Sequence, residues 1–204
     1  AEKAKEIAEM NLQNAKNLFE SYLENVFNNP GKDWETRKIG EITELIKGKK
    51  PKIFVTQDGK PYLTAKVIRK IEPPKYVSEK CPVSVWTKKD DIIIIMDGSN
   101  SGEMFTNLEG ALASTMGIVK FQSDLLTARY LLQFLVSQRK KFTRSRTGAA
   151  IPHLNKYEFE NLEIPLPPLQ EQKRIVSKLD DIFKDIDSAK ENAKKKLQLN
   201  GNLK

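Results

Sequence analysis

Two segments at opposite ends of this chain each carry one narrow apolar stripe at heptad spacing. Residues 1–28 contain neither Gly nor Pro, and Asn28-Asn29-Pro30-Gly31 ends the pattern. The spacing returns after Pro168 and continues to Leu197. A stripe this narrow is buried only against a second helix of similar length, so we predict that both segments are long helices that pack together. The stripes consist of Ala8, Leu12, Ala15, Phe19, Tyr22 and Val26 in the first segment, and of Ile175, Leu179, Ile182 and Ile186 in the second.

The residues between these segments follow a different pattern. Short apolar runs such as Ile92–Met96 and Gly117–Phe121 alternate with turns that contain Gly, Pro or Asn. One further helix is predicted from Asp124 to about Lys141, where leucines recur at helical spacing. We therefore predict an α/β chain of the mixed α+β type. Its predicted segments are an N-terminal helix (1–28), one strand-rich domain (29–168) and a C-terminal helix (169–204).

The positive charge is concentrated in two stretches of the middle segment. The chain has a formal net charge of +8, yet positions 37–70 hold ten basic and three acidic residues, and positions 138–168 hold six and three. Focused positive charge attracts polyanions, and nucleic acid is the first candidate. The alternative is that these side chains only keep a surface solvated.

Three short stretches contain all but one of the candidate DNA contacts, and Lys66 is nominated in addition to them. Lys47–Lys52 (KGKKPK) is a turn suited to phosphate contact, because each neutralised phosphate releases counterions. The arginines of residues 138–146 could fork onto guanine, or their charge could simply favour a helix C-terminus. Gly98–Gly102 is either a plain hairpin turn or a loop that approaches DNA. The nominated residues are Lys47, Lys49, Lys50, Lys52, Lys66, Ser99, Asn100, Arg139, Lys140, Lys141, Arg144 and Arg146.

Catalytic and metal-binding patterns are missing from the sequence. There is no G-x-G-x-x-G and no P-loop, and the single His153 and single Cys81 cannot form a His/Cys metal cluster. Glu171-Gln172-Lys173 has the Glu-x-Lys form of a nuclease motif but lies in the first turn of a predicted helix, so we interpret it as capping. We predict no catalytic residue, no metal and no cofactor on this chain. Without a secretory leader or a long apolar run, we expect a soluble cytoplasmic protein with no membrane partner.

Two motifs near the C-terminus resemble a known family. Thr147–Lys156 (TGAAIPHLNK) and Ile164–Val176 (IPLPPLQEQKRIV) resemble the boundary between a target recognition domain and the following conserved helix in DNA-specificity subunits of type I restriction-modification systems. Shorter matches are Trp34–Gly40, Lys47–Lys49, Pro61–Leu63 and Ala113–Gly117. The resemblance thus covers nearly the whole chain.

The resemblance implies a non-catalytic, sequence-specific reader of double-stranded DNA in the cytoplasm of a bacterium or an archaeon. Members of the family carry two target recognition domains, each reading half of a split target, and two long antiparallel helices that form a coiled-coil spacer. The spacer docks the methyltransferase (modification) subunit, which binds S-adenosylmethionine, and the complex recruits a restriction subunit for cleavage. The resemblance also implies that His153 and Asn155 hydrogen-bond the backbone that leads into the proline-rich segment.

This chain departs from the family pattern because it has one recognition domain. It is either the C-terminal half of a full subunit or a half-sized subunit, which could restore two-fold symmetry as a homodimer through the long helices. Two other interpretations stay open: the recognition portion of a fused methyltransferase-nuclease enzyme, and a pure interaction scaffold.

Overall fold

A computed structural model describes residues 2–56, 58–144 and 153–201. The chain divides into two units, one that joins Ala1–Glu35 with Pro165–Lys204 and one formed by Thr36–Ile164. In the described ranges the helices are α1 (Glu2–Asn28), α2 (Ile39–Ile42), α3 (Ala65–Ile68), α4 (Ala128–Arg144), α5 (Lys156–Glu160) and α6 (Leu169–Gly201). The strands are β1 (Glu35–Lys38), β2 (Thr43–Lys47), β3 (Gly59–Leu63), β4 (Tyr76–Ser78), β5 (Trp86–Thr87), β6 (Ile92–Ile95), β7 (Met104–Phe105), β8 (Gly110–Leu112), β9 (Met116–Phe121) and β10 (Glu163–Leu166). The predicted mixed α/β class is confirmed.

In the first unit, the most buried stripe of α1 differs from the predicted one. Phe19 is buried, but so are Leu23 and Phe27, while Tyr22 and Val26 are only half-buried. A straight helix has 3.6 residues per turn, so its buried face drifts away from a strict heptad seam and becomes wider than it. The other predicted stripe residues are buried (Ile175, Leu179 and Ile186) or half-buried (Leu12, Ala15 and Ile182), and the side chain of Ala8 lies outside the described part of the structure.

Side chains of α1 and α6 contact each other along this unit. The ring centroids of Phe19 and Phe183 are 4.2 Å apart, with the rings tilted by 53°. The Lys178 ammonium lies 5.1 Å from the centroid of the Tyr22 ring, a cation–π contact. Burial raises the pKa of Tyr22, which agrees with its half-buried position beside α6.

The proline-rich segment fixes the start of α6. Pro165 and Pro167 are buried, and Gln172 Nε2 donates to the Pro167 carbonyl at 3.0 Å. A residue that precedes a proline disfavours the helical conformation, so α6 begins only after the last proline, Pro168. A hydrogen bond from Arg174 lowers the pKa of Glu171 in the first turn, where a carboxylate also suits the helix dipole.

The second unit contains two four-stranded sheets. One has the order β2-β9-β6-β7 and is antiparallel throughout, while the other has the order β4-β3-β8-β5 and contains the parallel pair β3–β8. Every residue of Ile92–Ile95 in β6 is buried, which explains a continuous apolar run instead of an alternating one. Ile93, Ile118 and Leu112 belong to one hydrophobic cluster that draws on both sheets. β1 and β10 form a separate two-stranded pair.

The predicted apolar runs correspond to β6 and β9, but α4 begins four residues later than expected. The backbone amides of Leu125 and Leu126 donate to the Gln122 carbonyl, at 3.2 and 3.1 Å, and form a turn there. Thr127 Oγ1 then accepts from the Tyr130 amide at 3.3 Å. Thr is a favoured N-cap residue, so the helix starts immediately after it.

Candidate nucleic-acid interface

One end of the β2-β9-β6-β7 sheet collects the chain segments that carry several predicted DNA contacts. Lys47 at the end of β2 is opposite Gly117 of β9, and Ile95 at the end of β6 is opposite Met116. The chain leaves this end of the sheet twice, as the basic loop Lys47–Lys52 and as the β6–β7 hairpin loop Asp97–Glu103. The sheet topology therefore brings together residues that are about 50 positions apart in sequence.

Asp97 lies between two basic groups at this end of the sheet. Its two carboxylate oxygens are 2.8 Å from Lys47 Nζ and 2.8 Å from His153 Nδ1. Burial alone would raise the pKa of Asp97, but hydrogen bonds and charge from Lys47 and His153 outweigh it and leave the pKa below its ordinary value. Lys47 was nominated as a phosphate contact, and here its charge is already opposed by a carboxylate.

The sequence resemblance implied a different partner for His153. The ring contacts the Asp97 carboxylate rather than the backbone that leads into the proline-rich segment, and the adjacent Leu154 amide donates to the Met96 carbonyl at 2.7 Å. Asn155 does bind backbone, because its Oδ1 caps α5 by accepting from the Glu158 amide at 3.2 Å. His153 therefore joins its segment to the β6–β7 loop.

The remaining lysines of the basic loop are exposed around a closely packed glycine. A Cβ atom on Gly48 would lie 2.3 Å from the Ala113 carbonyl oxygen and 2.5 Å from that of Leu112, so only glycine fits. The Gly48 amide donates to the Met116 carbonyl at 2.9 Å, which holds the loop against the sheet. Among the described residues, no hydrogen bond or ion pair engages the exposed side chains of Lys49, Lys50 and Lys52.

The β6–β7 hairpin loop presents Ser99 and Asn100 at an exposed tip. Gly98 and Gly102 have φ values of 104° and 87°, a backbone conformation that residues other than glycine rarely adopt. The Ser101 amide donates to the Gly98 carbonyl at 3.0 Å. Both nominated residues are exposed, as a contact with DNA would require.

Helix α3 contributes a basic residue that the sequence did not single out. The Arg69 guanidinium forms an ion pair with Glu103, the last residue of the β6–β7 hairpin loop, and faces the Asn100 amide. Lys66, which was nominated, is exposed one turn earlier, with its ammonium 4.0 Å from the Glu72 carboxylate. The high basic content of positions 37–70 was the only sequence signal for Arg69, and it could not separate Arg69 from its neighbours.

The second basic stretch lies on a different element. Arg139, Lys140 and Lys141 are exposed on the C-terminal turns of α4, next to the buried Phe142, whose ring centroid is 5.9 Å from that of Phe159. Arg144 is the last residue of α4, and its side chain lies outside the described part of the structure. Arg146 lies outside the described residues altogether.

The described residues contain neither a candidate metal site nor a candidate membrane-spanning helix. They contain no group of three or more His, Cys, Asp or Glu side chains placed to hold a metal ion. No helix in the described part of the chain has the length and apolar character that crossing a membrane requires.

Comparisons with known proteins agree on one family. Residues 31–199 match the family model of the type I restriction modification DNA specificity domain. The specificity subunit of type I restriction enzyme MjaVIII from Methanocaldococcus jannaschii is 37% identical over 153 residues, which cover 73% of this chain and 36% of that subunit.

Solved structures share the fold. The crystal structure of the HsdS subunit from Thermoanaerobacter tengcongensis matches 94% of this chain and 49% of that one, with a TM-score of 0.72 and 22% identity. A chain from a structure of complex assembly and conformational transition in the type I R-M system matches 96% of this chain and 51% of its own length, with a TM-score of 0.73 and 23% identity. The chain thus spans between about a third and a half of the length of these relatives. It belongs to the type I restriction-modification DNA specificity family.

Proposed function

We propose that the chain reads one half of a bipartite DNA target as the specificity component of a type I restriction-modification system. One structural observation carries this proposal. The basic loop, with its exposed lysines, and the β6–β7 hairpin loop, with its exposed tip, begin at the same end of one sheet. Lysines supply phosphate contacts that fix position, and a polar loop tip supplies groups that can read base edges.

The long helices suit a spacer and docking role. Phe19 contacts Phe183, and Tyr22 contacts Lys178. A residue further along α1 therefore contacts a residue closer to the start of α6. This order supports an antiparallel coiled coil over at least this stretch. In our proposal the coiled coil sets the spacing between half-sites and binds the methyltransferase subunit, and a restriction subunit joins the complex.

In this assembly the specificity chain itself does no chemistry. The methyl donor, S-adenosylmethionine, belongs to the methyltransferase subunit, and the complex works in the cytoplasm, where the DNA is. The curated relative is a specificity subunit, and the recognition segment proposed here is 29–168, flanked by the conserved helices 1–28 and 169–204. A second copy, joined through the helices, would supply the other recognition domain of a symmetric target.

The test compares two double variants of the second unit, each of which replaces two consecutive lysines. We expect the double variant Lys49→Ala/Lys50→Ala to bind duplex DNA with a log Kd versus log salt slope lower by about 2, since each lost phosphate contact removes about 0.9. The matched control is Lys88→Ala/Lys89→Ala, an exposed pair that precedes the opposite end of β6 and removes the same charge.

Fluorescence anisotropy with a labelled pool of random-sequence duplexes measures both slopes. An equal fall in both double variants would show that only net charge matters, and an unchanged slope for the Lys49/Lys50 variant would remove the basic loop from the interface. Light scattering that finds only monomers at tens of micromolar would count against the homodimer.

A further inference from the structure

We propose that Asn100 is a specificity-determining residue that reads guanine through its amide donors, with Arg69 as its positioning residue. This inference rests on the proposed function, because it assigns a task to one side chain of the DNA-reading loop. Arg69, at the C-terminal end of α3, contacts residues of the β6–β7 hairpin that are more than 30 positions away in sequence.

The position of the Arg69 guanidinium is defined on several sides. The backbone amide of Arg69 donates to the Ala65 carbonyl at 3.1 Å, so Arg69 caps the C-terminal end of α3. At the N-terminal end of that helix, Thr64 Oγ1 accepts from the Val67 amide. The guanidinium forms its ion pair with Glu103. Both charged side chains are about 70% buried, with relative exposures of 30% and 27%, so solvent screens the pair less than an ordinary surface pair.

The guanidinium in turn dictates the orientation of the Asn100 amide. With the amide oxygen facing Arg69, Asn100 Oδ1 accepts from Nη1 at 3.1 Å and from Nη2 at 3.3 Å. The reverse orientation would place the amide NH2 group against the guanidinium N–H groups, donor against donor. The carbonyl of Asn100 is therefore occupied, and only N–H donors remain for a ligand.

The hairpin backbone that carries Asn100 is fixed as well. The Gly102 amide donates to the Ile95 carbonyl at 2.8 Å, and the Ile95 amide donates to the Glu103 carbonyl at 2.8 Å. At the other side of the loop, Asp97 is held by Lys47 and His153. A tip held at both sides presents its side chain in one orientation, which is what selective readout requires.

The remaining donors select a base by simple complementarity. A free asparagine amide reads adenine with a donor and an acceptor together, because adenine offers N7 as acceptor and N6 as donor. Guanine offers two acceptors, N7 and O6, on its major-groove edge, and cytosine offers a donor. When Arg69 occupies the oxygen of Asn100, the remaining N–H donors match both acceptors of guanine. The same donors meet the N6 donor of adenine and the donor of cytosine, so neither of those bases is fully complementary.

The experiment is a selection of bound sequences from a random duplex pool by the 204-residue chain and its variants. The wild-type chain should enrich a motif with a guanine that Asn100→Ala makes about tenfold less preferred, which corresponds to the lower part of the discrimination of a base-edge contact. Arg69→Met frees the Asn100 carbonyl and should move the preference at that one position from guanine toward adenine. Asn14→Ala, an exposed amide on α1, is the matched control and should leave the motif unchanged.

Each outcome decides the inference. A wild-type motif that persists in Asn100→Ala, which alters only an exposed loop tip, overturns the assignment and leaves the proposed function intact. A preference that relaxes at every position in Arg69→Met, with no gain of adenine, overturns the positioning role, and circular dichroism of that variant checks that it is folded. A wild-type chain that enriches no motif at all overturns the proposed function and this inference together.

Discussion

Replacing Asp97 with Asn should weaken the fold and strengthen DNA binding at the same time. The Asp97 carboxylate contacts Lys47 Nζ and His153 Nδ1, each at 2.8 Å, and thereby ties the β2 end and the His153 segment to the β6–β7 loop. The variant keeps the size of the side chain and removes the charge. It therefore loses the electrostatic part of both contacts and leaves the Lys47 charge unopposed beside the basic loop.

The magnitude follows from the exposure of the three side chains. Asp97 is 17% exposed, whereas Lys47 and His153 are 50% and 49% exposed, so solvent screens one side of each contact. Hydrogen bonds to buried charges contribute about 1.5–3 kcal/mol and exposed pairs about 0.2–1 kcal/mol. Because Lys47 and His153 are half-exposed and Asn keeps a hydrogen-bonding oxygen, each contact should lose about 0.5–1 kcal/mol. The two losses together give an expected decrease of about 1–2 kcal/mol in the free energy of unfolding at neutral pH.

Urea denaturation at several pH values measures this loss. Because the folded-state pKa of Asp97 is below its unfolded value, its stabilisation is fully present above about pH 4 and disappears as the pH falls through the folded pKa. The difference between wild type and Asp97→Asn should therefore shrink toward zero in acid. A difference that is independent of pH, or the absence of a difference at neutral pH, would refute the role assigned to the carboxylate.

The same variant has a second readout on DNA. With Lys47 released from its carboxylate, the log Kd versus log salt slope for the duplex pool should become steeper by about 1. The double variant Lys47→Met/Asp97→Asn should return the slope to its original value or below it. If Asp97→Asn leaves the slope unchanged, Lys47 is too far from the DNA to contact phosphate.

Two further substitutions test the packing around the basic loop and the packing of the long helices. Gly48→Ala should destabilise the second unit by about 1–3 kcal/mol and lower DNA affinity, because the new Cβ would meet two backbone carbonyls and displace the basic loop; equal stability in urea would contradict the close approach. Leu179→Ala should lower the free energy of unfolding by about 2–5 kcal/mol because the side chain is fully buried in α6, whereas Leu18→Ala, 61% exposed on α1, should change it by less than about 0.5 kcal/mol. Similar losses for the two leucines would refute the assignment of the buried face.

The long helices could be predicted from sequence because their signals are local. The absence of Gly and Pro from α1, the heptad spacing in both helices and the proline that precedes Leu169 define α1 and α6 closely. The particular buried residues were less predictable, since Leu23 and Phe27 lie one position away from the heptad seam. The late start of α4 also had a local signal, the capping Thr127, which the apolar spacing of Leu125 concealed.

The site could be predicted only as a set of exposed residues, most of them basic, together with the polar tip residues Ser99 and Asn100. The exposure of Lys49 and Lys50 follows from their charge and from a turn with Gly and Pro. The pairing of Lys47 with Asp97 and of Arg69 with Glu103 depends on which strands become neighbours, and no local pattern encodes that. For this reason the sequence predicted Lys47 as a phosphate contact without its carboxylate partner, and it did not single out Arg69.

Sequence-selective binding of DNA can be tested by a single pair of titrations. The duplex enriched by the wild-type chain and a shuffled duplex of the same composition are each titrated over a range of salt concentrations. We expect tighter binding of the enriched duplex at every salt concentration and a linear fall of log affinity with log salt for both duplexes. Equal affinity for the two duplexes, or binding that does not respond to salt, would contradict it.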